Sequence, residues 1–180
     1  MLELFNTLTR QKNQIIPYEK GIIRMYTCGP TVYRDAHIGN LRSYLMADWI
    51  KRSLMLLGNK VIHIKNITDV GHMRQEVLER GEDKVVAAAI ASGQTPQQIA
   101  DFYTKRFLND EKTLNILSAD EFPKATDHIN EMIEIVEELE RKKLAYQVEG
   151  NLYFNVSNFQ KYGQLSGNIH ENVLRDAVNV

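Results

Sequence analysis

The sequence predicts an α/β fold built on a parallel βαβ unit, and three consecutive segments carry that prediction. Residues Ile22 to Thr27 form an apolar, β-prone run between Gly21 and a Cys28-Gly29-Pro30 turn. From about His37 to Leu57 the spacing turns helical, with Ile38, Leu41, Leu45, Trp49, Leu54 and Leu57 on or near one stripe. Residues Val61 to Ile67 then alternate, Ile62 and Ile64 facing one way, His63 and Lys65 the other. Connections this short between strand, helix and strand favour a right-handed parallel crossover.

The remaining elements follow in order. The residues before Gly21 read as a short irregular start. Gly58 stands where a left-handed cap ends the first helix. Residues Val70 to Asp83 are polar and loop-like, and a helix is expected around Asp83 to Ala91. Thr95-Pro96-Gln97-Gln98 is a helix start: Thr95 as N-cap, Pro96 at the first position and Gln98 closing a capping box. Its helix carries Ile99, Tyr103, Phe107 and Leu114 toward one side and ends near Asn115, before Pro123 breaks the chain. Residues Ala125 to Leu144 read as a further helix with an Ile129, Met132, Ile133, Val136 and Leu139 stripe, and Glu138 is spaced to pair with Lys142. A hairpin is expected from Tyr146 and Val148, through Glu149-Gly150-Asn151, to Leu152, Phe154 and Val156. The last stretch, Ser157 to Val180, is weakly patterned and ends like the beginning of a strand.

Composition narrows the class. The 180 residues hold 22 Lys and Arg against 23 Asp and Glu, a formal net charge of -1, which excludes a protein that grips nucleic acid by bulk positive charge. The single cysteine, Cys28, excludes an internal disulfide framework and suits a reducing compartment. The longest apolar run, Val85 to Ala91, falls far short of the ~20 residues that span a bilayer, and the N-terminus lacks a signal-peptide pattern. The expectation is a cytoplasmic protein with no membrane partner.

The segment with most chemistry is Cys28-Gly29-Pro30-Thr31-Val32-Tyr33-Arg34-Asp35-Ala36-His37-Ile38-Gly39-Asn40, between the first strand and the first helix of the βαβ unit. Open α/β sheets bind ligands beyond the carboxyl ends of their strands. A helix N-terminus offers free N–H groups to a phosphate, and His37 adds a further donor there. Gly39 leaves room for close approach. The same His37 can equally be a helix cap and the same Cys28 simple packing. Neither the Walker phosphate loop nor the GxGxxG fingerprint occurs. Residues and spacing alone reach a nucleotide-binding α/β domain.

The segment resembles the His-Ile-Gly-His signature of class I aminoacyl-tRNA synthetases, and the chain is similar, more narrowly, to the cysteinyl-tRNA synthetase family. Phe5 to Arg10, Met25 to Tyr33, Asn66 to Asp69, Leu114 to Leu117 and Pro123 to Ile129 fall in that family's order and spacing, over essentially all 180 residues. The resemblance implies a Rossmann-like (HUP-type) parallel sheet, first half only, over residues 1–117, with part of an α+β connective insertion over 118–180. It implies cysteine and ATP, with Mg2+, as substrates of adenylate formation, and tRNA as the acceptor. It assigns His37 and Asn40 as catalytic residues and Gly29, Thr31, His37, Gly39, Asn40 and Thr68 to ATP and adenylate binding. Cys28 becomes a ligand of a zinc ion, which would separate a substrate thiol from a hydroxyl by softness rather than shape.

Three departures accompany the resemblance. Asn40 stands where the signature has a second histidine, and it can donate a hydrogen bond but carry no positive charge. Thr68-Asp69-Val70-Gly71-His72-Met73 departs from the Asp-rich continuation common in the family; His72 reads either as a site residue or as a polar loop residue. A Lys-Met-Ser-Lys loop is absent, and one thiolate does not hold zinc alone. The chain is therefore expected to be an N-terminal portion with little activity by itself, or one whose missing half a second chain supplies. The competing readings are a stand-alone paralogue performing another adenylation and a non-catalytic binding module.

Overall fold

The computed structural model describes residues 2–70 and 84–167 (for 84–87, the backbone alone). In chain order the elements are β1 (Glu3–Asn6), β2 (Gln11–Gln14), β3 (Ile22–Thr27), α1 (Ile38–Leu56), β4 (Lys60–Lys65), α2 (Lys84–Ser92), α3 (Pro96–Thr113), α4 (Ile129–Arg141), β5 (Ala145–Val148) and β6 (Asn151–Phe154). They make an α/β fold with small parallel and antiparallel sheets. Two compact units divide the chain: Ile16–His128, and Met1–Ile15 with Ile129–Val180. No described helix is long and apolar enough to cross a membrane.

In the Ile16–His128 unit, β3 and β4 pair in parallel, Ile22 opposite Lys60 through Thr27 opposite Lys65, with α1 as the crossover. Gly58 takes a φ of +83° just past α1, the left-handed stop the sequence suggests. Two further stretches extend the parallel array. Beyond β3, Thr31 bridges Thr68. On the other side of β4, Ile64 bridges Glu121 and Ile67 bridges Lys124, and Pro123 takes part through its carbonyl, which accepts from Ile67 N at 2.8 Å. Proline lacks only the donor, so it closes off the helix yet still serves at this edge.

The core gathers Val32, Tyr44, Ile67, Ile99, Phe107 and Ile116, with Ala89 and Ala100 where α2 meets α3. The start of α3 forms as its sequence dictates: Thr95 Oγ1 accepts from Gln98 N, and Gln98 Oε1 accepts from Thr95 N. The buried side of α1 keeps only part of the predicted stripe, Leu54 buried and Leu41 and Leu45 half-buried against the core. Its buried residues are Tyr44, Ala47, Asp48, Lys51 and Leu54, while Ile38 is 87% and Trp49 65% exposed. The burial of Asp48 and Lys51 has a polar cause: Asp48 Oδ1 accepts from Leu117 N at 2.8 Å, and Lys51 Nζ donates to Ser118 O at 2.8 Å. Likewise the buried side of β4 is Val61, His63 and Lys65, the last two 1% and 0% exposed.

In the other unit, the start is a hairpin rather than irregular. Strands β1 and β2 pair antiparallel from Glu3–Gln14 to Asn6–Gln11. The turn closes through Arg10 N donating to Asn6 O, with Arg10 at φ 58°. Its second strand, Gln11-Lys12-Asn13-Gln14, is wholly exposed and polar, so it carries no alternation to read. The expected helix from Ala125 divides: residues Ala125–His128 are a short 3-10 turn in the first unit, and α4 begins at Ile129. Glu138 pairs with Lys142 at 3.1 Å, as the spacing suggests, and also with Arg141. Strands β5 and β6 make the second hairpin around Glu149 and Gly150, both at positive φ. His72, the loop around it and the strand-like ending at Asp176 to Val180 lie outside the described residues.

Candidate functional site

The chain leaves β3 at Thr27 and bends at Cys28-Gly29-Pro30 before rejoining the sheet at Thr31 and Val32. Val32 N donates to Thr68 O at 3.1 Å and Thr68 N to Pro30 O at 3.0 Å, so the bend is pinned to the end of β4 by backbone alone. Asn66 reinforces it. Its Oδ1 accepts from Gly29 N at 3.0 Å and from the Tyr26 hydroxyl at 3.0 Å, and its Nδ2 donates to Thr68 Oγ1 at 3.0 Å. Gly29 is required at this point: a Cβ there would lie 1.7 Å from Asn66 O.

Ten residues on, α1 opens with a capping box. His37 Nδ1 accepts from Gly39 N at 3.1 Å, and Asn40 Oδ1 accepts from His37 N at 3.2 Å. With Nδ1 an acceptor, the neutral ring carries its proton on Nε2. With Oδ1 turned to the cap, the Asn40 amide keeps its Nδ2 donors for other partners. Gly39 packs against the His37 ring, which a Cβ would approach to 3.0 Å.

Between bend and helix lies a cavity of about 300 Å³. Cys28, Gly29, Thr31 and Asn40 line it, so four of the sequence-predicted site residues share one hollow. His37 and Gly39 form the cap beside it and Thr68 sits behind Thr31; none of these three lines the cavity. Arg34, Asp35 and Tyr44 line it without having been singled out. Arg34 brings a guanidinium to the rim, its centre 5.1 Å from the Tyr33 ring centroid. Asp35 is held by both Nε and Nη2 of Arg106, the latter at 3.0 Å, which ties the rim to α3. Tyr44 and Asn66 carried a readable signal: Tyr44 follows Asn40 by one helical turn, and Asn66 opens the Asn66-Ile67-Thr68-Asp69 stretch.

Behind the cavity, buried charge is paired. Lys65 Nζ donates to Glu111 Oε1 and lies 4.9 Å from the Tyr44 ring centroid. Burial lifts the Glu111 carboxyl above its ordinary range against the opposing pull of Lys65. Burial, then the charges of Cys28 and Glu111, push the Tyr44 phenol up to about 12. His63 Nε2 sits 2.8 Å from Thr27 Oγ1, and burial, with Lys65 and Lys51 nearby, takes the imidazole down to about 4.

A zinc ion finds no complete ligand set here. Among the described residues no group of three or more His, Cys, Asp or Glu side chains could hold a metal. Cys28 is exposed and its thiol reaches only Gly29 O, at 3.5 Å. One thiolate does not make a tetrahedral site.

The fold of this chain is similar to that of a class I aminoacyl-tRNA synthetase. The structure aligns with a solved Agrobacterium radiobacter K84 leucyl enzyme in ternary complex with tRNA and LeuAMS, at a TM-score of 0.57 and 19% identity, over 73% of this chain and 16% of that one. Residues 14–179 match the family described as tRNA synthetases class I (C) catalytic domain, and the chain belongs to that family. The cysteine–tRNA ligase of Treponema denticola is 47% identical over 165 residues, covering 92% of this chain and 33% of the relative. That of Chlorobium chlorochromatii is 42% identical over 179 residues, covering 99% and 37%. The chain thus spans about a third of the length of the curated relatives it matches. These comparisons lend no support to a second chain that supplies a missing half, nor to the expectation that these residues alone are inactive.

Proposed function

We propose that this chain carries the first half of a Rossmann-like (HUP-type) catalytic domain, over residues 1–117, with part of a connective insertion over 118–180. Its activity, within a cytoplasmic cysteine–tRNA ligase, is to bind ATP and cysteine for adenylate formation ahead of transfer to tRNA. The observation that carries this reading is the shared cavity of Cys28, Gly29, Thr31 and Asn40 at the carboxyl end of β3.

In that reaction a carboxylate oxygen of cysteine attacks the α-phosphorus of ATP, a new O–P bond forms, and the bond to the pyrophosphate oxygen breaks. Negative charge builds on the α-phosphoryl oxygens, and positioned donors stabilise it. On this reading the His37 Nε2 proton and the Asn40 Nδ2 group serve as those donors, held by the capping box. The first-turn N–H groups and Arg34 add positive potential. Gly29 and Thr31 shape the adenylate pocket, Gly39 admits close approach, and Thr68 supports Thr31 from the neighbouring strand. Cys28 serves as a zinc ligand only where further donors join it, and no step is routed through the metal.

Calorimetric titration of the 180-residue chain with a non-hydrolysable cysteinyl-sulfamoyl adenosine tests the reading. Saturable binding that weakens at least tenfold in His37→Ala or Asn40→Ala supports it. No heat at saturating analogue, or binding indifferent to both substitutions, overturns it.

A further inference from the structure

Tyr44 is 4% exposed, and its ring belongs to the core, edge-on to Phe107 at 5.3 Å between centroids. A buried tyrosine hydroxyl ordinarily finds a hydrogen-bond partner. This one has none among the described residues, yet it is not sealed as Glu111 Oε2 and Thr104 Oγ1 are. The residue lines the cavity, so the opening left to the hydroxyl is the cavity itself.

The phenol lies close to both the helix start and the Cys28-Gly29 bend that frame the cavity. It lies one turn below Asn40 on α1, and Lys65, whose ammonium faces its ring, passes its stem beneath Gly29: a Cβ at Gly29 would lie 3.1 Å from Lys65 Cγ. Glu111 holds Lys65 and Phe107 holds the ring edge, so the phenol is fixed before any ligand arrives. A fixed donor needs no reorganisation when it is used. A phenol is protonated at neutral pH, and burial raises its pKa further, to about 12. It is therefore a neutral donor in a lining whose charged and amide groups are Arg34, Asp35 and Asn40.

We propose that Tyr44 is a specificity-determining residue whose hydroxyl hydrogen-bonds the amino-acid portion of the ligand, on the Cys28 side of the cavity, rather than its nucleotide portion. This rests on the adenylate reading above. It predicts a split between two ligands that a purely structural role would not produce.

The test is calorimetric titration of the wild type and Tyr44→Phe chains with cysteinyl-sulfamoyl adenosine and, separately, with ATP, beside thermal unfolding of both. Phenylalanine keeps the ring contacts and removes only the donor. The expected result is an affinity for the analogue lowered about tenfold, with ATP affinity within twofold and the unfolding midpoint unchanged. Equal analogue affinity in both chains overturns the proposal, and so does an equal loss for analogue and ATP. Absence of binding in the wild type overturns the adenylate reading, and this proposal with it.

Discussion

Gly29→Ala is the sharpest perturbation the structure offers. The added methyl would lie 1.7 Å from Asn66 O and 2.9 Å from Asn66 C, where real Cβ atoms essentially never come closer than 3.0 Å. The obstacle is backbone on a strand end, so it cannot rotate aside as a side chain would. Bend and strand must separate by the difference, about 1.3 Å, in a close-packed interior. Three hydrogen bonds cross that seam: Gly29 N to Asn66 Oδ1, Thr68 N to Pro30 O and Val32 N to Thr68 O. At roughly 1 kcal/mol net for each, their loss or stretching costs about 2–4 kcal/mol. Many domains survive such a loss, but an ångström-scale shift in a site costs on the order of 100-fold in function. Urea unfolding followed by circular dichroism and titration with the adenylate analogue read the two effects. Gly21→Ala is the control: open space surrounds its Cβ position and only its φ of +76° resists, so it loses roughly 1 kcal/mol with the pocket intact. Gly29→Ala within 0.5 kcal/mol of wild type, with undiminished analogue binding, would refute the packing argument.

Two further predictions concern the buried polar groups. His63 is held neutral by burial, its pKa lowered to about 4, whereas the unfolded chain takes up the proton near 6.5. Its contribution is complete above pH 6.5 and is lost as pH falls toward 4, roughly 3 kcal/mol in all; urea midpoints measured from pH 7 to 4.5 should fall less steeply in His63→Gln, and an unchanged slope removes His63 from the account. Lys65→Met should cost about 3–5 kcal/mol by stranding Glu111, while Lys65→Met with Glu111→Leu should recover most of it; equal destabilisation of single and double variants in urea melts would show that the two residues do not act as a pair.

Much of the architecture was legible because local chemistry and tertiary context agree. Strand β3, the Gly58 stop, the Thr95-Pro96-Gln98 start and the Glu149-Gly150 turn each rest on short-range preferences that nothing in the fold opposes. Polar side chains that face inward were not legible. Apolar patterning assumes that Lys and His point to water, yet Lys65 and His63 are the most buried residues of β4, and Asp48 and Lys51 take buried places beside Leu54 on α1 while Ile38 and Trp49 of its stripe are exposed. The same blindness hid the stretch beside β4, because Pro123 reads as a break until its carbonyl is seen accepting from Ile67. In the site, Cys28, Gly29, Thr31 and Asn40 were recognisable by resemblance to a signature. Tyr44, one helical turn after Asn40, and Asn66, at the head of a recognised run, carried a signal in their positions, but neither residue type stands out from an ordinary aromatic on a helix or polar residue in a loop.

The polar residues of α1 explain how a hollow at one end of the helix is kept in shape from the other. His37 and Asn40 make its cap and Tyr44 the cavity wall; one and two turns later, Asp48, Lys51 and Arg52 bind the backbone of Leu117, Ser118 and Asn115. Asp120 then accepts from His63 N at 2.7 Å, and residues 121–124 run alongside β4 and its continuation, beyond which Thr68 lies against Thr31. A slip of the 115–118 segment by one residue would break the bonds from Leu117 N to Asp48 and from Lys51 to Ser118 O, leaving Asp48 only Arg52 and Lys51 only Asp120, at roughly 1–3 kcal/mol for each buried group. Apolar contacts alone would tolerate such a slip far better, because they are not directional. Buried charge therefore fixes the register of the stretch beside β4, and through β4 the spacing between the Cys28 bend and the helix cap that the proposed adenylate site depends on.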